Sequence, residues 1–313
     1  MFTQEIYKLA IEMGIKNDLR GDEVVKKYLD RVRKTFNKLD EKAKQKFDLE
    51  KLVNPFADTR ILNDNNSEIK KLLIGIDIEG SELLLAKQLG NIDLVIAHHP
   101  EGKALADMHS VMDMQAQILA QYGVPINIAE SVLKERIAEV DRNLSPTNHN
   151  RFVDFAKLLN INFACIHTPC DNMGATFLDK LFTERKPEYI EDILEILNEI
   201  PEYKRASEIN AGPKIFAGSP QNSCGRIVVT EFTGGTNGSK EMYEKMSQAG
   251  IGTIISMHMG EAHKKEAEKA HINVVVAGHI SSDSLGINLF LDELEKRNIE
   301  IVTCSGITRV KRN

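Results

Sequence analysis

Apolar residues in this chain fall into two patterns, one with helical spacing and one of short unbroken runs. Ile6, Leu9, Ala10 and Met13 recur at three and four residues behind Thr3, a predicted N-cap. A second helix is predicted after Gly21-Asp22, with Val25, Leu29, Val32, Phe36 and Leu39 forming its stripe and charged side chains on its other faces. Such a helix is expected to lie on the body of the protein. Asn54-Pro55-Phe56 and Asn63-Asp64-Asn65-Asn66 punctuate the exit, so residues 1–67 are expected to form a helical N-terminal extension.

Beyond residue 67, short buried strands alternate with helices. Strands are predicted over 71–77, 93–97, 123–128, 163–166, 226–230, 253–256, 273–277 and 299–303. Helical spacing covers 81–90, 107–122, 131–140, 150–159, 239–250 and 285–297, and a further helix carries Glu261 and His263. This alternation predicts an α/β fold with a mostly parallel sheet covered on both faces. Two apolar strands, at Leu94–Ala97 and Thr253-Ile254-Ile255-Ser256, both run into histidine (His98 and His258). The echo is too short to carry an argument by itself.

Composition narrows the function classes. A chain of 313 residues with 42% hydrophobic positions suits one or two α/β domains. Its formal net charge of -6 argues against a general nucleic-acid coat. Lys26, Lys27, Arg31, Arg33 and Lys34 are interspersed with acids and read as a solvated face, so nucleic acid is not an expected partner. Only 9 prolines and 20 glycines exclude a mostly disordered or collagen-like chain. Cys165, Cys170, Cys224 and Cys304 form no CxxC pair, which fits a reducing compartment. No signal-peptide pattern opens the chain and no apolar run approaches the roughly 20 residues a bilayer needs, so a soluble, cytoplasmic protein without a membrane partner is expected.

The chemistry collects where apolar strands end. One strand ends in His98-His99-Pro100, another in His167 with Asp171 nearby, a third in Gly278-His279 with Asp283 nearby. Ligands of open α/β sheets sit beyond the carboxyl ends of strands, so residues distant in sequence can meet there. His167 and Asp171 are four apart, as are His279 and Asp283, which puts each pair on one face of a helical turn. Adjacent His98 and His99 would point to opposite faces of a regular strand, and can act together only where Pro100 breaks it. Imidazole and carboxylate donors suit zinc, iron, manganese or nickel. No HExxH is present.

These segments, in this order, resemble the NIF-three-like family, which is also described as similar to the type 2 form of GTP cyclohydrolase one. The likeness runs from about Ser67 to the C-terminus, over Lys71 to Asp77, His98-His99-Pro100, His167-Thr168-Pro169-Cys170-Asp171-Asn172 and Ala277-Gly278-His279. The resemblance implies two α/β lobes with mostly parallel or mixed sheets and a site for two divalent ions in the cleft between them. It implies a first lobe over 68–182 to which 278–313 return, a second lobe over 183–277, and a ring-shaped homo-oligomer, often a hexamer. The ligands carried over are His98, His99, Asp171, His279 and Asp283, with Asp171 as the bridge and His167 facing substrate rather than metal. The family commonly has glutamate where Asp283 stands. The function implied is that of a metal-dependent hydrolase acting on a nucleotide or other small heterocycle. The alternative is a non-catalytic metal scaffold, metal-delivery protein or regulatory adaptor.

Other groups are weighed beside these. His167, His258 and His263 are candidate catalytic proton carriers. Glu261 reads as an ordinary helix-start acid. The Gly234-Gly235-Thr236-Asn237-Gly238 loop is either an anion cradle or a tight turn. Asp77 and Glu79 end a strand near the expected cleft and read either as loop residues or as residues that support the site or meet substrate. Asn148-His149-Asn150-Arg151 reads as a turn, and Cys170 as inert packing.

Overall fold

The apolar runs become strands because burial on both faces lets Val, Ile and Leu occupy successive positions. The computed structural model describes residues 1–312. In chain order the N-terminal part holds α1 (Thr3–Lys16), α2 (Asp22–Asn37), α3 (Glu41–Lys46), a 3-10 turn and β1 (Arg60–Asn63). There follow β2 (Lys71–Gly75), α4 (Gly80–Leu89), β3 (Leu94–Ala97), α5 (Gly102–Ala106), α6 (Asp113–Gln121), α7 (Ile126–Leu144), α8 (Arg151–Leu159), β4 (Asn162–Cys165) and α9 (Thr168–Arg185). The last stretch holds α10 (Ile190–Glu199), α11 (Pro201–Glu208), β5 (Lys214–Ala217), β6 (Arg226–Val229), α12 (Met242–Gln248), β7 (Ile251–Ser256), α13 (Glu261–Lys269), β8 (Asn273–Val276), α14 (His279–Glu295) and β9 (Glu300–Thr303).

Two sheets result. One has the order β1-β4-β3-β2-β9, the other β5-β8-β7-β6. Each is parallel except for an antiparallel edge strand, β1 against β4 and β5 against β8. The stretches β1-β4-β3-β2 and β5-β8-β7-β6 therefore repeat one topology. In that repeat His98 and His258 both follow the middle parallel strand. His167 with Asp171, and His279 with Asp283, both open the helix after the last one. The short sequence echo is thus part of a real structural duplication.

Helices α9 and α14 form the layer between the sheets. Cys170 and Met173 of α9 and Ile287, Phe290, Leu291 and Leu294 of α14 pack into the core of the first sheet. Ala175, Leu178 and Phe182 of α9 and Leu285 of α14 pack into that of the second. The helices meet at Gly174 and Gly286, where a Cβ on Gly286 would stand 2.2 Å from the Cys170 carbonyl oxygen. Only a residue without a side chain allows this approach. Since Asp171 and Asp283 each lie three residues earlier, the same contact brings the two acids together.

Several expectations need correction. The apolar stretch 123–128 is not a strand. Pro125 sits at the N-cap of α7 with its φ already suited to a helix start, and Ala129, Leu133 and Val140 then bury one helical face. Together α6 and α7 cover the second sheet, although they lie between two strands of the first. Helix α14 starts at His279, well before 285, because a Ser- and Gly-rich start hid its periodicity. Thr3 lies inside α1; Phe2 is the N-cap, and its N–H donates to Glu5 Oε2 at 2.8 Å. Helix α12 starts at Met242 rather than Ser239. Residues 1–67 are not a separable extension, because Ile6 and Ala10 share a core with Leu72 and Ile96, and β1 completes the first sheet. No described helix is long and apolar enough to cross a membrane.

Candidate metal centre

Three imidazoles enter the cleft with one nitrogen already occupied. His98 Nδ1 bonds the Ile166 carbonyl oxygen at 3.1 Å, His99 Nδ1 bonds Asp77 Oδ1 at 2.6 Å, and His167 Nδ1 bonds Asp58 Oδ2 at 2.8 Å. Such bonds fix the tautomer and leave Nε2 as a lone-pair donor toward the cleft. Pro100 ends the strand geometry, so His98 and His99 escape the opposite-face rule and their ring centroids stand 5.4 Å apart.

Around these nitrogens the donor atoms stand at similar separations. His98 Nε2 lies 3.3 Å from Asp171 Oδ1 and 3.6 Å from Asp283 Oδ1. His99 Nε2 lies 3.5 Å, and His279 Nε2 3.6 Å, from Asp283 Oδ2. Among the described residues, His98 Nε2, Asp171 Oδ1 and both oxygens of Asp283 are buried without a hydrogen-bond partner. Ligands about 2.0–2.1 Å from one ion stand roughly 3.4 Å apart in a tetrahedron. These gaps are too long for good hydrogen bonds and right for neighbours on a shared cation. Three groups follow: His98 with Asp171 and Asp283, His99 with His279 and Asp283, and His98 with His99 and His167. The orphaned atoms and the donor chemistry fit divalent ions, and a cation relieves the cost of two buried carboxylates.

Electrostatics reinforces this. Burial would raise the Asp283 carboxyl, but the neighbouring imidazoles of His98, His99 and His279 outweigh it and hold it far below the usual carboxylate range. Burial would lower His98, yet the Asp283 and Asp171 carboxylates keep it well above the usual imidazole value. His167 is raised, with Asp171 and then Asp58 overcoming burial. His279 is lowered by burial, and His258 by burial and by His279. Protons and divalent ions therefore compete for the same nitrogens.

All five residues carried over as ligands thus meet: His98, His99, Asp171, His279 and Asp283. Of the proton-carrier candidates, His167 is inside the cluster. His258 packs its ring 4.9 Å from that of His279, with its buried Nδ1 unpartnered. His263 instead faces Tyr243 and the Gly238 carbonyl. The glycine loop is a packed turn: Gly234 and Gly235 have φ of 85° and 90°, and Gln115 donates to the Gly234 and Thr236 carbonyls. Its residues Thr233, Gly235 and Thr236 nevertheless line a cavity with His167, Asp171, Glu231, Phe232, Met257, His258 and His279. Glu79 caps α4, and His149 bonds the Leu144 carbonyl within its own turn. Asp77, expected as either a loop or a supporting residue, holds His99. Sequence reasoning missed Asp58 and Glu231. No local pattern marks Asp58, whereas Glu231 directly follows a predicted strand, the position that singled out the histidines.

The fold and site define a two-lobed α/β protein with a buried His/Asp cluster in the cleft. The chain superposes on the crystal structure of a NIF3 superfamily protein from Sphaerobacter thermophilus with a TM-score of 0.79 and 25% identity, covering 98% of this chain and 99% of that one. It is also similar in fold to reduced HcgD from Methanocaldococcus jannaschii, with a TM-score of 0.51, 18% identity, and coverage of 78% and 87%. No family model matches the sequence, and no curated protein does. The full-length likeness gives the chain the fold of the NIF3 superfamily. That likeness includes residues 1–67, so the N-terminal helices are not this chain's own addition.

Proposed function

We propose that this chain holds two divalent ions and works as a metal-dependent hydrolase. One observation carries the reading: the two orphaned oxygens of Asp283 face different imidazole sets, Oδ1 toward His98 and Oδ2 toward His99 and His279. His98, Asp171 and Asp283 would hold one ion, and His99, His279 and Asp283 the other, drawn from zinc, iron, manganese and nickel. On this reading Asp283 would be shared between the two sets, where the resemblance implies Asp171 as the bridge. A pair of such ions, when bound, lowers the pKa of a coordinated water and polarises a substrate oxygen.

The chain's own residues supply the rest. Ile166, Asp77 and Asp58 keep three imidazoles oriented. His258 lines the cavity and is lowered toward its neutral form, which suits a proton acceptor. Glu231, Thr233 and Thr236 bind and orient, while Phe232 and Met257 exclude water. The likeness to the cyclohydrolase implies a small polar heterocycle as substrate, larger than the roughly 20 Å³ now open at this lining, so entry would need the lining to move. The hexameric ring implied by the resemblance is also proposed, and light scattering tests it.

Elemental analysis of protein purified without chelator is the direct test. About two ions per chain are expected. Turnover in a panel of nucleotides, phosphoesters and amides should vanish in His98→Ala and Asp171→Ala with the fold retained. A metal-replete protein inactive across the panel would instead favour a scaffold, delivery protein or adaptor. Absence of metal uptake would remove the whole reading.

A further inference from the structure

We infer that His167 is an additional metal ligand, and that Asp58 is the positioning residue that presents it. The inference rests on the two-ion reading above. Three observations converge on it. The first is the duplication: His167 opens α9 as His279 opens α14. His167 Nε2 stands 3.6 Å from Asp171 Oδ2, the same separation as His279 Nε2 from Asp283 Oδ2. A nitrogen in the position of a ligand's structural counterpart, at ligand spacing from a carboxylate already committed to an ion, has a ligand's geometry.

The second is convergence. One ring nitrogen of His167 lies within 4.8 Å of ring nitrogens of His98 and His99. Its ring centroid is 4.9 Å from that of His98. The third is the clamp behind it. Asp58 is fully buried and accepts from His167 Nδ1 at 2.8 Å and from Thr168 Oγ1 at 2.6 Å. Thr59 Oγ1 accepts from the His167 backbone N–H at 3.1 Å. The stretch carrying Asp58 is itself fixed, because fully buried Arg60 donates to the carbonyls of Phe56 and Thr59, and Asn54 bonds Thr59 and Phe56. A carboxylate behind an imidazole is the arrangement that orients metal-binding histidines. It forces the Nδ1–H tautomer and aims Nε2 at Asp171. Among the described residues none clamps His279 in this way, and it is more exposed than His167, so the two halves of the centre differ in rigidity.

The test uses zinc as the probe on the full chain. Asp58→Asn and His167→Gln should each weaken zinc binding by about 10–100-fold, measured by competition with a chelator. Asp58→Asn should add little once His167→Gln is in place, since the first acts through the second. Wild-type affinity in both variants, or losses that simply add, would overturn the inference while leaving the two-ion reading intact. Should the variants not fold, the wild-type protein decides. Long-range proton–nitrogen NMR of zinc-loaded protein with labelled histidine should show His167 protonated at Nδ1 and metal-bound at Nε2. A proton retained on Nε2 there would overturn the assignment. A wild-type chain that takes up no zinc sinks the two-ion reading and this one with it.

Discussion

At the scale of single residues, the centre depends on one carboxylate more than on any imidazole. Asp283 faces both imidazole sets through different oxygens. Asp283→Ala should therefore lose both ions, whereas His279→Ala should lose one and keep the ion at His98 and Asp171; elemental analysis separates these outcomes. A drop of one ion in both variants would show that Asp283 is not shared. Although one methylene shorter than the glutamate the resemblance implies, Asp283 places its oxygens 3.5–3.6 Å from three imidazole nitrogens.

Acidity provides a second residue-scale prediction. Asp58 is held below its ordinary 3.8; burial opposes this, and the bonds from His167 and Thr168 overcome it. Its contribution is present above 3.8 and is lost as pH falls through the lowered value. His98 and His167 are held above their ordinary 6.5, so their contributions are complete below 6.5 and are lost as pH rises through the raised values. His258 and His279, held below 6.5, act in the opposite sense and add stability as pH rises to 6.5, so the chelator-treated protein should resist urea best close to 6.5. Zinc should move that optimum upward, because it binds the unprotonated nitrogens. Urea midpoints followed by circular dichroism across pH check this. A chelated protein that keeps gaining stability above 6.5 would contradict it.

At the scale of elements, the crossing of α9 and α14 sets the site. Gly286→Ala would drive a Cβ into the Cys170 carbonyl at 2.2 Å, a backbone atom that cannot swing aside. Overpacking of this kind costs about 1–3 kcal/mol. The helices must separate, and Asp171 and Asp283 move apart with them. The variant should therefore bind zinc more weakly as well as unfold earlier. Full zinc affinity in a destabilised variant would show that the crossing and the site are independent. No sequence pattern announced this contact, because Gly174 and Gly286 are ordinary small residues until the helices that carry them are packed together.

At the scale of the whole molecule, the N-terminal part belongs to the fold. Its residues Ile6 and Ala10 fill the first core, β1 completes the first sheet, and Asp58 stands behind His167. Deletion of residues 1–67 should abolish cooperative unfolding and soluble expression. A soluble fragment that melts cooperatively and binds zinc would restore the idea of an appended extension.

Most parallel strands, and the histidines at their ends, could be read directly, because burial on both faces leaves an unbroken apolar run and a polar residue marks where it stops. The five expected ligands followed from those strand ends and the resemblance they carry. Edge strands β1 and β5 were not read from the sequence, although β6 and β9, edge strands of the same length, were. The amino-acid order alone determined which residues sit at strand ends and that imidazoles and carboxylates gather there. Tertiary structure decided which oxygen faces which nitrogen, that Asp58 and Asp77 stand behind two of the rings, and that two lobes of one topology face each other. Those relations depend on helix crossings and sheet packing between residues far apart in the chain, which local periodicity does not encode.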